Sequence, residues 1–401
     1  MRSVLRVVVT ADNHLGRYYE RLTPKQLERR RAWLRRGWEA AVECALARRA
    51  HLFLQAGDLF DTPEPRNNER VAVAEALARL TAAGIGCYAI GGNHDTPRQR
   101  TEHGGLAPQA VYAGLGGLQW LAGQGTIATR QCTVQGWRVA IGGLAWDPTL
   151  PPGADPLAGQ TWDVTADLRL LLLHHGIEGQ LHPYAHEPLL RQATLAAFPA
   201  DVFLVGHVHR HATLQLGHRL VVVPGATERM TFGESGETPG FVYLELAPGG
   251  VERLEHQPVP CQPRRMATVP VATLDGADLH AALLRRIEPL CHPEALVRVT
   301  LTGTLSREAY HALDLAAVRD FGAARCAFFD LRTDGLVLAT AANVPPASEG
   351  RRTTRDELAT CADALLAATS DPMERALLHA ARTAVLTAYD ELCPMPGGNG
   401  S

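Results

Sequence analysis

Lysine is almost absent from this 401-residue chain: Lys25 stands alone among 39 Lys and Arg residues. It sits in Pro24-Lys25-Gln26, without the glycine-rich loop that cradles nucleotide phosphates, so the chain is not a conventional P-loop ATPase. Any ATP-driven step would need another chain. The eight cysteines (Cys44, Cys87, Cys132, Cys261, Cys291, Cys326, Cys361, Cys393) include no Cys-x-x-Cys pair. That excludes a zinc knuckle and a disulfide framework, and the thiols are expected as buried small hydrophobes. No run of about 18 apolar residues occurs. The opening Met1–Thr10 carries Arg2 and Arg6 within a short Val/Leu run, too charged for a signal peptide, so a cytoplasmic location without membrane contact is expected. Internal repeats are also lacking.

What is present is ordinary globular composition, 46% hydrophobic and 20% charged, in a chain long enough for one large domain and one or two small ones. The net charge of −3 excludes a coat of positive charge, but the distribution is uneven. From Arg17 to Arg36 the cations Arg17, Arg21, Lys25, Arg29, Arg30, Arg31, Arg35 and Arg36 face only Glu20 and Glu28. Such a run is either a solvated helix face or a nucleic-acid contact, and Arg17, Arg29, Arg30 and Arg31 are the candidate DNA-binding residues.

Short Val/Leu/Ile runs at Val4–Thr10, His51–Gln55 and Gly86–Ile90 read as buried strands, and Pro24–Arg49 and Asn67–Ala82 have helical spacing. Further strands are expected at 133–142, 168–173, 202–205, 219–223, 241–246 and 251–256, as a second sheet packed on the first. The fold class is therefore layered α/β, one β-sandwich flanked by helices over residues 1–260. A Pro-rich, polar stretch near 257–265 marks a boundary. Beyond it, residues 263–342 read as a compact βαβαβ unit, with helices at 275–289 and 306–321. Residues 343–352 read as a linker, 353–393 as two helices with apolar stripes (Leu358, Cys361, Leu365, Leu366; Leu377, Leu378, Ala381, Val385, Leu392), and 394–401 as a frayed tail.

Five short motifs fall at the ends of expected strands: Asp12-x-His14, Gly57-Asp58-x-x-Asp61, Gly92-Asn93-His94-Asp95, His174-His175 and Gly206-His207-x-His209. Ligand sites of open α/β sheets gather beyond the carboxyl ends of strands, so these distant segments can converge. Their residue types suit a dinuclear centre. Phosphodiester hydrolysis requires charge to be neutralised on the attacking and leaving oxygens, which two divalent ions about 3.5–4 Å apart do together. Asp12, Asp58 and Asn93 offer oxygen, and His14, His174, His207 and His209 offer nitrogen, a mixed set suited to manganese, iron or zinc rather than a magnesium-only cage. His207 and His209 would share a face in extended chain, so a turn is needed if each serves a different ion. Neighbouring strand residues point oppositely, so only one of His174 and His175 reaches the metals. His182, His186, His211 and His218 are expected at the surface or as satisfied core residues, and Asp61 beside the ligands rather than among them.

These motifs together resemble the calcineurin-like metallophosphoesterase superfamily across the first 260 residues. The resemblance implies a four-layer α/β/β/α sandwich. It also implies that Asp58 bridges two ions, with Asp12, His14 and His209 on one and Asn93, His174 and His207 on the other. His174, not His175, is the ligand in that pattern. His94 would face the scissile phosphate and protonate the leaving oxygen, with Asp95 orienting its ring.

Finer features favour a substrate. Ala11-Asp12-Asn13-His14-Leu15-Gly16, Gly57-Asp58-Leu59-Phe60-Asp61-Thr62 and Pro224-Gly225-Ala226-Thr227-Glu228-Arg229 with Phe232-Gly233-Glu234 resemble the SbcD-type DNA repair exonucleases, the Mre/Rad-like nuclease family. That likeness implies a DNA exo/endonuclease with two ions, manganese the expected metal. Residues 263–342 would be its capping domain, and the closing helices would dock on an SbcC-type coiled-coil ATPase. It also implies a homodimer through the helices at Pro24–Arg49 and Asn67–Ala82. Asp61 departs from the family pattern, standing where archaeal and eukaryotic relatives often carry a histidine, so their arrangement at that point does not transfer. The alternative within the superfamily is a nucleotidase or small-molecule phosphodiesterase, since the metal ligands alone do not choose a substrate.

Overall fold

Val7, Val8 and Val9 are all fully buried, yet they belong to two different cores. In β1 (Leu5–Thr10), Val7 and Val9 pack among Leu170, Leu172 and Leu204, whereas Val8 packs against Leu34, Trp38 and Leu80. The two-residue period of a strand separates them, and a strand covered on both faces is a continuous apolar run. This computed structural model describes residues 4–99, 105–123, 125–179, 187–247, 249–275, 278–339, 354–369 and 371–392. They fall into two compact units, 1–337 and 338–401. The expected linker 343–352, the tail 394–401, and His182 and His186 lie outside the described residues.

The first sheet begins with β1, followed by α1 (Pro24–Ala47), β2 (Leu52–Ala56), α2 (Asn67–Ala82), β3 (Gly86–Ile90), α3 (Gln109–Gly114) and β4 (Gln119–Trp120). The second is built by β5 (Ala128–Val134), β6 (Trp137–Leu144), β7 (Leu168–His174), β10 (Val202–Gly206), β11 (Ala212–Leu216) and β12 (Arg219–Val223). Between β7 and β10 come the short pair β8 (Gly176–Ile177) and β9 (Leu189–Leu190) and helix α4 (Gln192–Ala197). The chain then returns to the first sheet through β13 (Gly240–Ala247) and β14 (Gly250–Pro258). The strand orders are β14-β13-β1-β2-β3-β4 and β11-β12-β10-β7-β6-β5.

One core lies between the sheets, a second joins the first sheet to α1 and α2, and a third joins the second sheet to α4. The order is α/β/β/α, as the motifs implied. Within each sheet the central strands run parallel, β1-β2-β3 in one and β6-β7-β10-β12 in the other, so their carboxyl ends share an edge. Helix α1 starts where its sequence says it should. Thr23 and Gln26 form a reciprocal capping box with Pro24 in the first turn.

Three expectations need correction. The single strand at 133–142 is a hairpin, because Gln135 (φ 54°) and Gly136 (φ 83°) form a two-residue left-handed turn between β5 and β6. The expected helix at 306–321 is two, α6 (Arg307–Ala312) and α7 (Leu315–Arg325). Asp314 (φ 42°) breaks the first and caps the second by accepting from Ala317 N at 3.1 Å. The cysteines are not uniformly buried: Cys87 and Cys326 are, but Cys361 is exposed on α8.

Residues from 264 on build a three-stranded sheet, β15 (Arg264–Pro270), β16 (Leu296–Leu305) and β17 (Phe328–Leu338). Together with α5 (Leu279–Ile287), α6 and α7 it encloses its own apolar cluster. In the second unit, α8 (Thr354–Ala368) and α9 (Pro372–Leu392) pack on each other, with Leu366 and Leu386 buried and Arg382 bonded to Asp363 at 2.9 Å. Leu377 and Met373 of the same pair stay 72% and 82% exposed.

Candidate metal centre

Each of the five motifs leaves a strand at the shared edge. Asp12 follows β1, Asp58 follows β2, Asn93 follows β3, His174 ends β7 and His207 follows β10. The loops are cross-tied. Asp12 N donates to Gly57 O at 3.1 Å, His14 N to Asp58 O at 3.0 Å, and His207 N to the Asp12 carboxylate at 3.0 Å. Asp12 (φ 49°), His14 (φ 46°), Asp58 (φ 53°) and His207 (φ 90°) all occupy left-handed backbone, which side-chain-bearing residues adopt only where the surroundings enforce it. The left-handed turn at His207 separates it from His209, as two different positions in the centre require. Glycine is obligatory at Gly92, where a methyl group would collide with the Asp58 carboxylate and amide, and at Gly206, where it would meet Ala56 O.

Asp12, His14 and His209 bring donor atoms within 4.8 Å of one another, and so do Asp12, Asp58 and His174. His14 Nε2 and His209 Nε2 face each other at 3.1 Å, and His174 Nε2 lies 3.3 Å from Asp58 Oδ2 and 3.2 Å from Asn93 Oδ1. Asn93 Oδ1 is also 3.1 Å from His207 Nδ1. All seven expected donors are thus linked in one cluster. A third group, His14, Asp58 and His94, also lies within 4.8 Å.

The outer ring nitrogens are held from behind. His174 Nδ1 lies 2.8 Å from Ala56 O, His209 Nδ1 lies 3.3 Å from Glu234 Oε1, and His207 Nε2 lies 2.6 Å from Glu187 Oε2. Such contacts fix the ring so that one nitrogen is presented inward. His174, His209 and His14 thus present Nε2, and His207 presents Nδ1. His14 Nδ1 is held at 3.0 Å by Asp61 Oδ1, which also accepts from Arg17 Nη1 at 2.8 Å and lies 3.6 Å from His94 Nδ1.

The electrostatics fit a cation. Asp12 and Asp58 are buried, and buried carboxylates require a compensating charge. Burial opposes the charged form of Asp58, but the charges of His174 and His14 outweigh it and hold its carboxyl far below the usual range. Burial likewise opposes protonation of His174, yet Asp58 and Asp12 push it up to about 9. The acids favour protons on His174 and His209, whereas burial holds His14 below its usual value, so positive charge is drawn to this donor set. Two imidazole nitrogens at van der Waals contact, backed by acids, fit divalent ions that replace those protons.

His175 is fully buried, makes no hydrogen bond through either ring nitrogen among the described residues, and stacks on Trp146 with centroids 5.3 Å apart. It stands outside the donor cluster. His211 stacks on His256 and reaches Val223 O at 2.7 Å, and His218 is exposed.

Some expected roles change. Asp95 does not hold the His94 ring: its carboxylate accepts from Gly92 N at 2.8 Å, Phe60 N at 3.3 Å and the Gln109 amide. Burial, then the nearby Asp58 charge, push its carboxyl up to about 7. The acid facing His94 is Asp61. Arg30 is 0% exposed and paired with Glu228 at 2.9 Å, and buried Arg31 donates from Nε to Gly16 O at 3.0 Å, so neither is open to DNA. Arg29 is exposed and donates to Pro293 O at 3.0 Å, and Arg17 is tied to Asp61.

The sequence reading missed Glu187 and the role of Glu234. Glu234 lay inside a stretch already singled out, but nothing around Glu187 marks it. Beside the centre, Asp61, Asn93, His94 and Arg98 line a cavity of about 270 Å³.

A layered sandwich with carboxylates, an amide and imidazoles at its strand ends defines a metal-dependent phosphoesterase. Residues 5–211 match the calcineurin-like phosphoesterase family, and the chain belongs to it. It is 29% identical over 305 residues to the DNA double-strand break repair protein Mre11 of Haloferax volcanii, covering 74% of this chain and 61% of that protein. Its identity to the Mre11 of Methanosarcina mazei is 26% over 314 residues, 75% of this chain and 46% of that protein. A shorter match, 44% over 98 residues, joins it to the Mre11 of Aeropyrum pernix, covering 24% and 22%. The chain spans about half the length of the curated relatives it matches over most of its own length. No helix among the described residues is long and apolar enough to cross a membrane.

Proposed function

We propose that this hydrolase is a DNA exo/endonuclease subunit that processes DNA ends and breaks within an SbcCD-like complex. One observation carries the reading: the seven expected donors from five strand ends lie in one cluster in a chain whose relatives are named as break-repair proteins. Asp12, His14 and His209 would hold one divalent ion and Asn93, His174 and His207 the other, with Asp58 shared and manganese the expected metal. Bound there, the ions supply charge neutralisation at the attacking and leaving oxygens. His94, with a 37% exposed side chain at the cavity mouth, meets the scissile phosphate and gives its proton to the leaving oxygen. Asp61 steadies the ring and also ties it to His14 and Arg17.

Exposed Leu365, Met373, Leu377 and Val385 on α8 and α9 support docking on the coiled-coil ATPase. Exposed Val71 on α2, with exposed Val111 beside it, supports a homodimer through α1 and α2. The test is cleavage by the purified chain with manganese of single-stranded and end-labelled duplex DNA, run beside nucleoside monophosphates. DNA cleavage that chelator stops is the expected result. Release of phosphate from mononucleotides with DNA left intact would make it a nucleotidase.

A further inference from the structure

A cavity of about 440 Å³ opens between the loop that follows the His14 turn, the strap at 230–233 and the three-stranded sheet. Its walls carry Arg17, Arg21, Arg264 and Arg298, with the fully buried Arg30 behind them, against a single lining acid, Glu20. Three carboxylates stand behind them, and Asp61 accepts from Arg17. Asp330 is shared by Arg21 and Arg298 at 2.8 Å each, and Glu228 pairs with Arg30. Arg264 donates to the carbonyls of Thr231 and Arg229. Burial, and then the charge of Arg30, pull its guanidinium down to about 10. Among the described residues the buried Nε atoms of Arg17, Arg30 and Arg264 have no hydrogen-bond partner. Among the described residues Arg264 has carbonyl partners alone, so this wall offers a guanidinium that no carboxylate pairs directly.

The same walls carry aromatic faces. Arg298 lies 4.1 Å and Arg264 5.6 Å from the Phe232 ring centre, and Arg21 lies 5.8 Å from that of Phe328. Guanidinium planes and aromatic rings around an anion-seeking cavity are what an unpaired nucleotide requires, with its base stacked and its phosphate held.

Both ends of the cavity reach the metal centre through one intervening acid. Arg17 bonds Asp61, which holds His14, and Glu234, which holds His209, accepts from Met230 N at 2.6 Å.

The geometry points to this cavity as the seat of an unpaired nucleotide of the substrate strand, flanking the phosphate that is cut. The inference rests on the nuclease reading and adds a requirement for a single-stranded end. Neither Phe232 nor Arg298 touches a metal donor, so their variants leave the centre itself intact.

The experiment measures binding of a fluorescent oligothymidylate to the full chain in calcium, then hydrolysis of bis-p-nitrophenyl phosphate and of DNA in manganese. Phe232→Ala and Arg298→Ala are each expected to weaken oligothymidylate about 10-fold. Aryl phosphate turnover should be unchanged, and Phe232→Tyr, which keeps a stacking face, should restore binding. Unchanged oligothymidylate affinity in both variants, with wild-type DNA cleavage intact, overturns the cavity's role and leaves the nuclease reading standing. Affinity for thymidine monophosphate equal to that for the oligomer, with no gain from chain length, also overturns it. If wild type turns over only the aryl phosphate and neither binds nor cuts DNA, the nuclease reading has failed first.

Discussion

At the strand ends seven donors contributed by five distant segments face one another, whereas along α1 three successive arginines face three different ways. Arg29 reaches out to Pro293 O, Arg30 inward to Glu228, and Arg31 back to Gly16 O. Helix geometry explains the dispersal, because consecutive residues are turned by about 100° and cannot meet one ligand. Parallel strands do the opposite, aiming every carboxyl end at one edge whatever the distance in sequence. A local excess of one residue type is therefore weaker evidence of a site than a few unlike donors placed at equivalent strand ends.

The largest expected effect tests the convergent region. Asp58→Asn should reduce hydrolysis to background and lower metal occupancy, read by kinetics and elemental analysis, because under the proposed assignment one carboxylate would serve both positions. Chelator should lower the unfolding free energy of wild type by about 3 kcal/mol when metal stands near 100 times its dissociation constant. The variant should lose most of that response. Normal turnover with two ions retained in Asp58→Asn would break the shared role. Next, His94→Ala should keep its metals and lose about 100- to 10,000-fold in rate. Loss of metal would instead make His94 a ligand, a possibility its position beside His14 and Asp58 keeps testable.

These outcomes bear on what the sequence made legible. The layers and the donor cluster followed from residue type and strand-end position, since Asp, Asn and His beside β1, β2, β3, β7 and β10 have no reason to gather in an apolar core. The supporting acids did not follow. Glu187 and Glu234 act through a fold-level approach to His207 and His209, and a single acid in a loop carries no spacing signature. Asp95 was misread for a related reason: adjacency to His94 in the chain says nothing about which acid the ring faces. The hairpin at Gln135 and Gly136 was concealed because apolar residues flank it on both sides.

The α1 side of the comparison is sharpened by Arg30→Met. Removing a fully buried guanidinium leaves the Glu228 carboxylate buried with only the amides of Arg229 and Gln262 as donors. Truncating one partner of such a pair costs about 3 kcal/mol. Urea denaturation should show that loss, while salt dependence of DNA binding stays as in wild type. A change in salt slope without loss of stability would return Arg30 to the DNA surface.

The smallest effect belongs to Arg29, the one member of the consecutive three that is exposed. It donates from Nη2 to Pro293 O, in the segment leading into β16, and its exposed guanidinium is open to solvent or to a phosphate. An exposed arginine contributes little to stability, and Arg29→Ala should shift the unfolding free energy by less than about 0.5 kcal/mol. If it neutralises one phosphate, the slope of log affinity against log salt should fall by about 0.9 for duplex DNA and about 0.7 for single strands. Measuring both slopes separates the two grips. A drop only with duplex would assign Arg29 to the flanking double helix, and a drop with both would place it along the strand that enters the centre. No change in either slope, together with a loss of stability, would make Arg29 a structural tie like its two neighbours, and the whole arginine run would then be scaffolding for the metal-bearing loops.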